Sequence, residues 1–594
     1  MENGINSDKV THDKLLKYYE DAESTTYEAR AASNKARDYY DGKQWTAAEE
    51  AELKKRKQPA LVKNRIKSKV NYLTGAEVQT RTDPKAYPRT PEHSEDAEAV
   101  TDALRYVWDN ADGDEVRSEV KEEQIVEGIG AAEVIGESRG NDVEIVVNHI
   151  PFDRFFYDPH SRKRDFSDAR YKGIIAWMDL SVAREKYTGK EDVLTATQEN
   201  SLDESSSDRP REKSWVSNDR KRVKVIQLYW QEKGSWQVAH FTRGGFLIDP
   251  IESPYVDEYG NPDCPIEAVS AYIDRENNRY GVVADMISPQ DEVNKRSSKA
   301  LHLLNTRQAR YDKNYTGNMT PEQIRAELAK PDGIIDAPDK AFEILQTNDM
   351  AAGNLQLLQE AKLEMEVVGP NASMQGKQEG NQSGRAIIAQ QQGGMVEISR
   401  LLDSGRNWDR RMYRQIWNRV RQYWTEEKWI RVTDDTKGAR FVGLNQPLTV
   451  RDEIEMELQN IPEGPEREFV QQELMKNDPQ LDQVVGIRNE VARMDVDIIV
   501  QESPDMVSLQ GEEFEQLTNM AASGYPVPPQ LIIETSSLSQ DKKDQILEQM
   551  AQPNPMQEAM QQIEIEGKAA EVEETQSKTV LNQAKAQSEV QPNI

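Results

Sequence analysis

The residues with chemical potential fall into three groups. Gly369 to Lys377 reads GPNASMQGK and ends in the glycine-lysine pair that phosphate-cradling loops use. Such a loop needs four residues between its glycines and Ser or Thr after the lysine, so that backbone N–H groups and a hydroxyl converge on phosphate and magnesium. Here six residues intervene and Gln378 follows, which excludes a nucleotide site. The run GIGAAE, with Gly128 and Gly130, suggests a dinucleotide turn only superficially. A helical pattern from Glu92 to Gly136 surrounds it, no strand precedes it, and Glu133 stands where the third glycine belongs. His149 and His160, near Asp153, Asp158 and Asp165, supply metal-donor atoms without the spacing of a ligand set, so surface polar roles are expected. A single cysteine, Cys264, excludes an internal disulfide and a cysteine-based zinc site. The many carboxylates would suit a metal-dependent nuclease, yet no nucleophile triad, zinc-ligand spacing or phosphate loop accompanies them. No cofactor and no catalytic step are expected.

Charge and hydropathy narrow the field. The 594 residues carry a net charge of -30, with 36% hydrophobic and 30% charged residues and a mean hydropathy of -0.83. A chain this polar either exposes much surface or buries part of it against other chains. The acidity argues against a sequence-reading DNA binder, which carries a basic footprint. It leaves DNA passage open, because an acidic wall repels phosphates instead of holding them. Plain solubilising charge explains the same number. No apolar run approaches the ~18 residues of a membrane span, and MENGINSDKV lacks the basic and apolar regions of a signal peptide. A soluble protein made inside a cell is expected.

The elements that position these residues centre on Ser288 to Ile398. Ser288 as N-cap and Pro289 in the first turn predict a helix running to Arg310, ~35 Å long. Val293, Ser297, Leu301 and Leu304 form one stripe of it; Lys295, Lys299 and His302 form another, and Arg296, Arg307 and Arg310 extend the positive charge. A basic stripe in an acidic chain has two readings: weak contact with passing DNA, or pairing with Glu360, Glu364 and Glu366 of the neighbouring second helix. An insertion, residues 312–352, follows, with Thr320-Pro321 opening a short helix and strand-like IID and AFEIL after it. It is too small to bury much apolar surface alone. A second helix, NLQLLQEAKLEMEVV, stops at Gly369-Pro370, and a polar loop leads to a long helix from about Arg385. In that helix Trp408, Tyr413, Ile416, Trp417, Val420 and Trp424 form an apolar side. Arg406, Arg410, Arg411, Arg414, Arg419 and Arg421 line the rest and are expected to pair between subunits. Gly393-Gly394 and Gly405 mark cheap bends.

On either flank the pattern is mixed. Residues 11 to 57 read as helices broken at DYYDGKQW, and Val62, Ile66, Val70 and Leu73 predict an amphipathic helix rimmed by Lys63, Arg65, Lys67 and Lys69. Strands are predicted in DVEIVVNHI, FDRFFYDP and RYKGIIAWMDL, and a meander in VKVIQLYWQEKGSWQVAHFTRGGFLID whose Tyr229, Trp230, Trp236 and Phe241 fill one face. TATQENSLDESSSDRPREKSWVSNDRK reads as a linker outside the packed body. Later come strands KWIRVTD, ARFVGLNQPLTV and RMDVDIIVQESP, then helices around the proline-rich YPVPPQLI and a Gln/Glu/Ala-rich tail.

The order of helix, small insertion, helix, loop and long helix resembles the portal proteins of short-tailed, podovirus-type bacteriophages. PQDEVNKRSSKALHLLN, PDGIIDAPDKAFEIL and GNQSGRAIIAQQQGG carry the likeness, which extends from YYDGKQW to ESPDMVSLQGEEFEQL. The resemblance implies an α+β multidomain portal fold: a mixed α/β wing over 1–285 and 429–505, stem helices at 286–311 and 353–368, and a clip at 312–352. It further implies a tunnel loop at 369–384, a long kinked helix at 385–428, a crown at 506–552 and a barrel-like or disordered tail beyond 553. In that scheme Lys377, Gln378, Asn381, Gln382 and Arg385 meet DNA in the channel, Lys295, Arg296, Lys299, Arg307 and Arg310 form the stem's basic stripe, and Met319, Ile324, Leu328, Ile334 and Phe342 anchor the clip. The implied function is a dodecameric ring at one capsid vertex of the virion. It would pass double-stranded DNA without reading sequence, and dock terminase, head-tail adaptor and tail proteins, scaffolding and major capsid proteins. A head-tail adaptor or internal capsid protein without a channel is the alternative.

Overall fold

The computed structural model describes residues 10–199 apart from 80, 82, 90–93 and 141. It further describes 214–217, 221–305, 308–312, 319–330, most of 333–345, 348–368, 384–434, 438–454 apart from 453, 481–500 apart from 495, and parts of 514–536. The chain divides into two compact units, residues 1–432 with 440–502, and residues 433–439 with 503–594.

The first unit opens with three polar helices, α1 (His12–Thr25), α2 (Tyr27–Asp41) and α3 (Ala47–Lys55). Gly42, at φ 93°, ends α2 in the left-handed conformation that favours glycine, and a Thr46–Glu49 capping box starts α3. Next come α4 (Ile66–Gln79), β1 (Pro84–Pro88), α5 (Ser94–Asn110) and α6 (Gly113–Val126). The predicted helix at 62–66 is cut short: Val62 is exposed, and residues 61–65 run extended before α4. GIGAAEVIG is not helical either. It is the first part of β2 (Ile129–Arg139), because small residues let this strand lie close on α6; a Cβ at Gly130 would sit 2.1 Å from the Val120 carbonyl oxygen.

β2 pairs with β3 (Asp142–Ile150) and, on its other side, with a later strand. β4 (Phe155–Tyr157) and β5 (Tyr171–Asp179) begin a six-stranded sheet, and α7 (Leu180–Lys186) and α8 (Glu191–Glu199) follow. The sheet continues through β6 (Val216–Ser217), β7 (Arg222–Glu232), β8 (Ser235–Thr242) and β9 (Gly245–Glu252), in the order β4-β5-β7-β8-β9 with β6 beside β7. The β7–β8 turn is Lys233-Gly234, both at positive φ, as a two-residue hairpin with right-handed twist requires. The four meander aromatics do not share a face. Successive side chains of a strand point oppositely, so Tyr229 joins Phe155, Tyr157 and Val238 while Trp230 and Phe241 pack with Leu15 and Tyr19 of α1. Within the expected linker, residues 200–213 and 218–220 lie outside the described residues. Trp215 and Val216 are buried, so that part belongs to the body.

β10 (Ile266–Ser270) completes the three-stranded sheet β10-β2-β3, which covers the Tyr229 face. β11 (Tyr272–Ile273) and β12 (Arg279–Tyr280) form a short ladder leading into α9 (Val283–Asn305). α9 starts five residues before the expected Ser288 cap: Val283 and Met286 are fully buried, and their packing carries the helix through Pro289. It also ends sooner, because Gln308–Tyr311 is β13, paired with β14 (Phe342–Leu345). Between them α10 (Pro321–Ala329) has a Thr320–Gln323 capping box with proline at its start, as predicted. Residues 334–336 are not a strand.

α11 (Asn348–Val367) begins before the expected start, and α12 (Gly384–Tyr423) runs for 40 residues. β15 (Lys428–Asp434), β16 (Gly438–Leu444), β17 (Gln446–Thr449), β18 (Val484–Arg488) and β19 (Val496–Val500) close the sequence of strands, with β19 pairing to β1. The largest core joins α5, the C-terminal half of α12 and β2, β3 and β19 around Trp108, Trp408, Tyr413, Trp417 and Trp424. The second unit contributes the helix Pro529–Glu534, inside the stretch read from sequence as a proline-rich break. The mix of helices and sheets is that of an α+β protein.

Candidate interaction surfaces

The α9–α11 pair is antiparallel: Met286 packs near Met365, Val293 meets Leu358 and Ala361, and Asn354 Nδ2 donates to the Arg296 carbonyl at 3.0 Å. Three polar residues spaced by four on α9, Gln290, Asn294 and Ser298, are buried and hold the extended segment 61–65 like a strap. Arg65 N donates to Gln290 Oε1 at 3.0 Å, Lys63 N to Asn294 Oδ1 at 2.9 Å, and Leu61 N to Ser298 Oγ at 3.0 Å. Gln290 Nε2 returns a bond to the Lys63 carbonyl at 2.9 Å, and Asn294 Nδ2 reaches Gln44 Oε1 at 2.6 Å. Lys69, read as rim, is buried, and its Nζ donates to the Val368 carbonyl at 2.6 Å, a cation at the C-terminal end of α11. On the side of α11 away from α9, Leu355, Leu363 and Val367 are exposed, Val367 at 79%.

The basic stripe is partly dismantled. Lys295 lies 3.5 Å from Asp291 and 3.9 Å from Glu49, and Arg296 pairs with Glu292 one turn back. Lys299 is exposed on α9. Arg310 belongs to β13, not to the helix, and Arg307 lies outside the described residues. Glu366, expected to meet that stripe, lies 3.4 Å from Arg65 of its own chain. Lys377, Gln378, Asn381 and Gln382 also lie outside the described residues; Arg385 falls in the first turn of α12, its side chain outside the description. Of the residues assigned to the small insertion, Ile324 is buried, Met319, Leu328 and Phe342 are half-buried, and Ile334 is 83% exposed.

The arginines of α12 separate into two sets. Arg419 is fully buried and donates to the Val134 and Val256 carbonyls and to Gln415, while Arg411 bonds Glu267 Oε2 at 2.7 Å. Arg421 reaches the Glu258 and Ala492 carbonyls, and Arg406 pairs with Asp403. These four have partners within their own chain. Arg410 and Arg414 instead line an open groove of about 560 Å³ with Arg400, Lys163 and Arg164. Burial, then the nearby Arg400 charge, holds the Arg164 guanidinium below its ordinary range.

Titratable groups elsewhere are structural. Lys121 and Asp409 form a buried pair at 3.5 Å where α6 crosses α12, with Lys121 Nζ 4.7 Å from the Trp408 ring centre. At Gly405 α12 makes a close approach: a Cβ there would stand 2.8 Å from Lys121 Nζ. Burial pushes the Lys121 ammonium down, although Asp409 and Glu77 pull the other way. His149 lies 3.1 Å from Glu119 and 3.0 Å from Glu123, not in a metal set with His160. Burial lowers His149, but the Glu123 bond and the charges of Glu123, Glu119 and Glu127 outweigh it, and its pKa is raised. Burial pushes the Cys264 thiol up to about 12. Among the described residues no group of three His, Cys, Asp or Glu is placed to hold a metal ion, and no helix is long and apolar enough to cross a membrane.

Sequence reading missed the strap-holding ladder and the buried Arg117, which donates to Tyr413 Oη at 2.8 Å, and Arg279, which lies 3.9 Å over Phe166. The polar i, i+4, i+8 row on α9 was the available signal.

Comparison with known proteins adds the remaining element. The model of the phage P22-like portal protein family matches residues 16–593. A portal protein of Helicobacter pylori bacteriophage KHP30 is 19% identical over 422 residues, covering 69% of this chain and 66% of that protein. With a family match running from α1 nearly to the last residue, the chain belongs to the phage P22-like portal protein family.

Proposed function

We propose that this chain forms a closed ring, a dodecamer, at one capsid vertex of a bacteriophage virion, and that double-stranded DNA passes through its centre during packaging and ejection. The family match over 16–593 carries this reading. The antiparallel α9–α11 pair supports it, because Leu355, Leu363 and Val367 leave an apolar side that a sibling chain can cover in a repeated heterologous contact. In this scheme α9 and α11 are the stem, residues 312–347 with α10 the clip that docks terminase and later adaptor or tail proteins, and 369–383 the tunnel loop. Scaffolding and major capsid proteins would meet the ring's flank. The protein acts by steric and electrostatic means: a net charge of -30 on each copy gives a wall that repels phosphates instead of gripping them. No bond is made or broken by it, and the packaging ATPase is a separate protein.

Negative-stain electron microscopy of the purified chain tests this. Rings with rotational symmetry and a central opening wide enough for a duplex are expected; monomers at every concentration and salt, or closed particles, would reject the channel and favour an adaptor. Incubation with plasmid DNA and magnesium checks the absence of chemistry, and cleavage by pure protein would overturn it.

A further inference from the structure

One face of α12 is basic, outward and unspent. Arg400, Arg410 and Arg414 recur at helical spacing along it, and the stretch from 400 to 414 spans ~21 Å. Lys163 and Arg164 face them across the groove. None of these five side chains makes an ion pair or side-chain hydrogen bond among the described residues, and Arg410 Nε is buried with no partner at all. By contrast Arg117, Arg279, Arg411 and Arg419 each donate at least one side-chain hydrogen bond within their own chain. Five cations along one groove outnumber its two carboxylates, Asp165 and Asp403, and leave room for further counter-charge.

We infer that this groove is a docking surface for an acidic segment of a second copy of this chain, with Arg400, Arg410, Arg414, Arg164 and Lys163 receiving its carboxylates. Charge complementarity selects the occupant. Each copy has 105 acidic against 75 basic side chains, so carboxylates left over after internal pairing are abundant on the neighbour. The groove's length suits an extended or helical segment better than a single small anion. Its wall also contains Asp165 and Asp403. A duplex carries one charge per ~1.7 Å of axis and would press phosphates against both carboxylates, whereas a polypeptide can place neutral or basic groups there. The inference rests on the ring reading and adds to it which surface, and which charge, holds neighbours together.

Carbodiimide coupling of the full-length wild-type chain, assembled from equal parts unlabelled and nitrogen-15-labelled protein, is the direct test. Isopeptide links from Lys163 to Asp or Glu in mixed-isotope peptides are expected. An assembled ring in which Lys163 couples only within its own chain, or not at all, overturns the inference while leaving the ring intact. A wild-type chain that never assembles sinks the ring reading and this inference together. In parallel, the triple variant Arg400→Gln/Arg410→Gln/Arg414→Gln, verified as folded by circular dichroism, is compared by mass photometry. Its assembly midpoint should rise at least tenfold over wild type at low salt, and the gap should shrink in 0.5 M salt. An unchanged midpoint together with lost binding of a short fluorescent duplex would make the groove a nucleic-acid site and overturn the proposal.

Discussion

At the residue scale, the buried cations are fasteners, and their removal reads out in stability. Lys121→Met leaves Asp409 without its nearest cation between α6 and α12, so a loss of about 3–5 kcal/mol is expected, as for a buried pair broken on one side. Adding Asp409→Leu should recover most of it; urea unfolding of the single and double variants measures both. His149 gives a pH signature. Its folded pKa lies above the unfolded value of 6.5, so its contribution is complete below about pH 6.5 and fades as pH rises through the folded value. His149→Gln should therefore lower the melting temperature more at pH 6 than at pH 8.5; an equal loss at both would show that the glutamates do not hold it. These partners were not legible in the sequence. Glu119 and Glu123 sit on α6 and His149 on β3, and only the fold brings them together. The apolar row of α12, from Trp408 to Trp424, was legible, because helical period alone determines which residues share a side.

At the element scale, α9 is defined by what it holds. Gln290→Ala removes an acceptor for Arg65 N and a donor to the Lys63 carbonyl, leaving two backbone groups unmet, and should cost roughly 1–3 kcal/mol. Hydrogen exchange checks the location of the damage: the amides of Lys63 and Arg65 should lose protection while those of β7 keep theirs. Element type was read well where periodicity was strong, as in β3, β5, β7, α10 and α12. Two of its failures have clear physical reasons. In GIGAAEVIG the small residues at Gly130 to Ala132 allow a close backbone approach to α6, which no hydrophobic pattern encodes. Gln308–Tyr311 follows a helix with no glycine or proline between, and its strand state depends on a partner, Phe342–Leu345, beyond α10.

At the scale of the whole molecule, acidity and assembly oppose each other. Copies carrying a net charge of -30 repel, so moderate salt, which shortens the Debye length from ~10 Å at 0.1 M to ~3 Å at 1 M, relieves long-range repulsion but weakens exposed pairs. The mass distribution should therefore shift toward assemblies between 10 and 150 mM salt and back toward smaller species near 1 M; light scattering across that series checks it. Composition disclosed this tension, and no composition could say where the remaining cations lie. Arg411, Arg419 and Arg421 look like Arg410 and Arg414 in the sequence, and neighbours from β2, β10 and the 256–258 loop separate them.

The pairing of β1 with β19 has a consequence for synthesis. Arg89 beside β1 meets Asp497 of β19, 408 residues downstream, at 2.8 Å. A nascent chain therefore carries an unmatched strand edge for most of its time on the ribosome, and the first unit cannot be sealed until nearly all of it has emerged. The first unit thus matures only with the arrival of β19, long after its opening helices have left the ribosome.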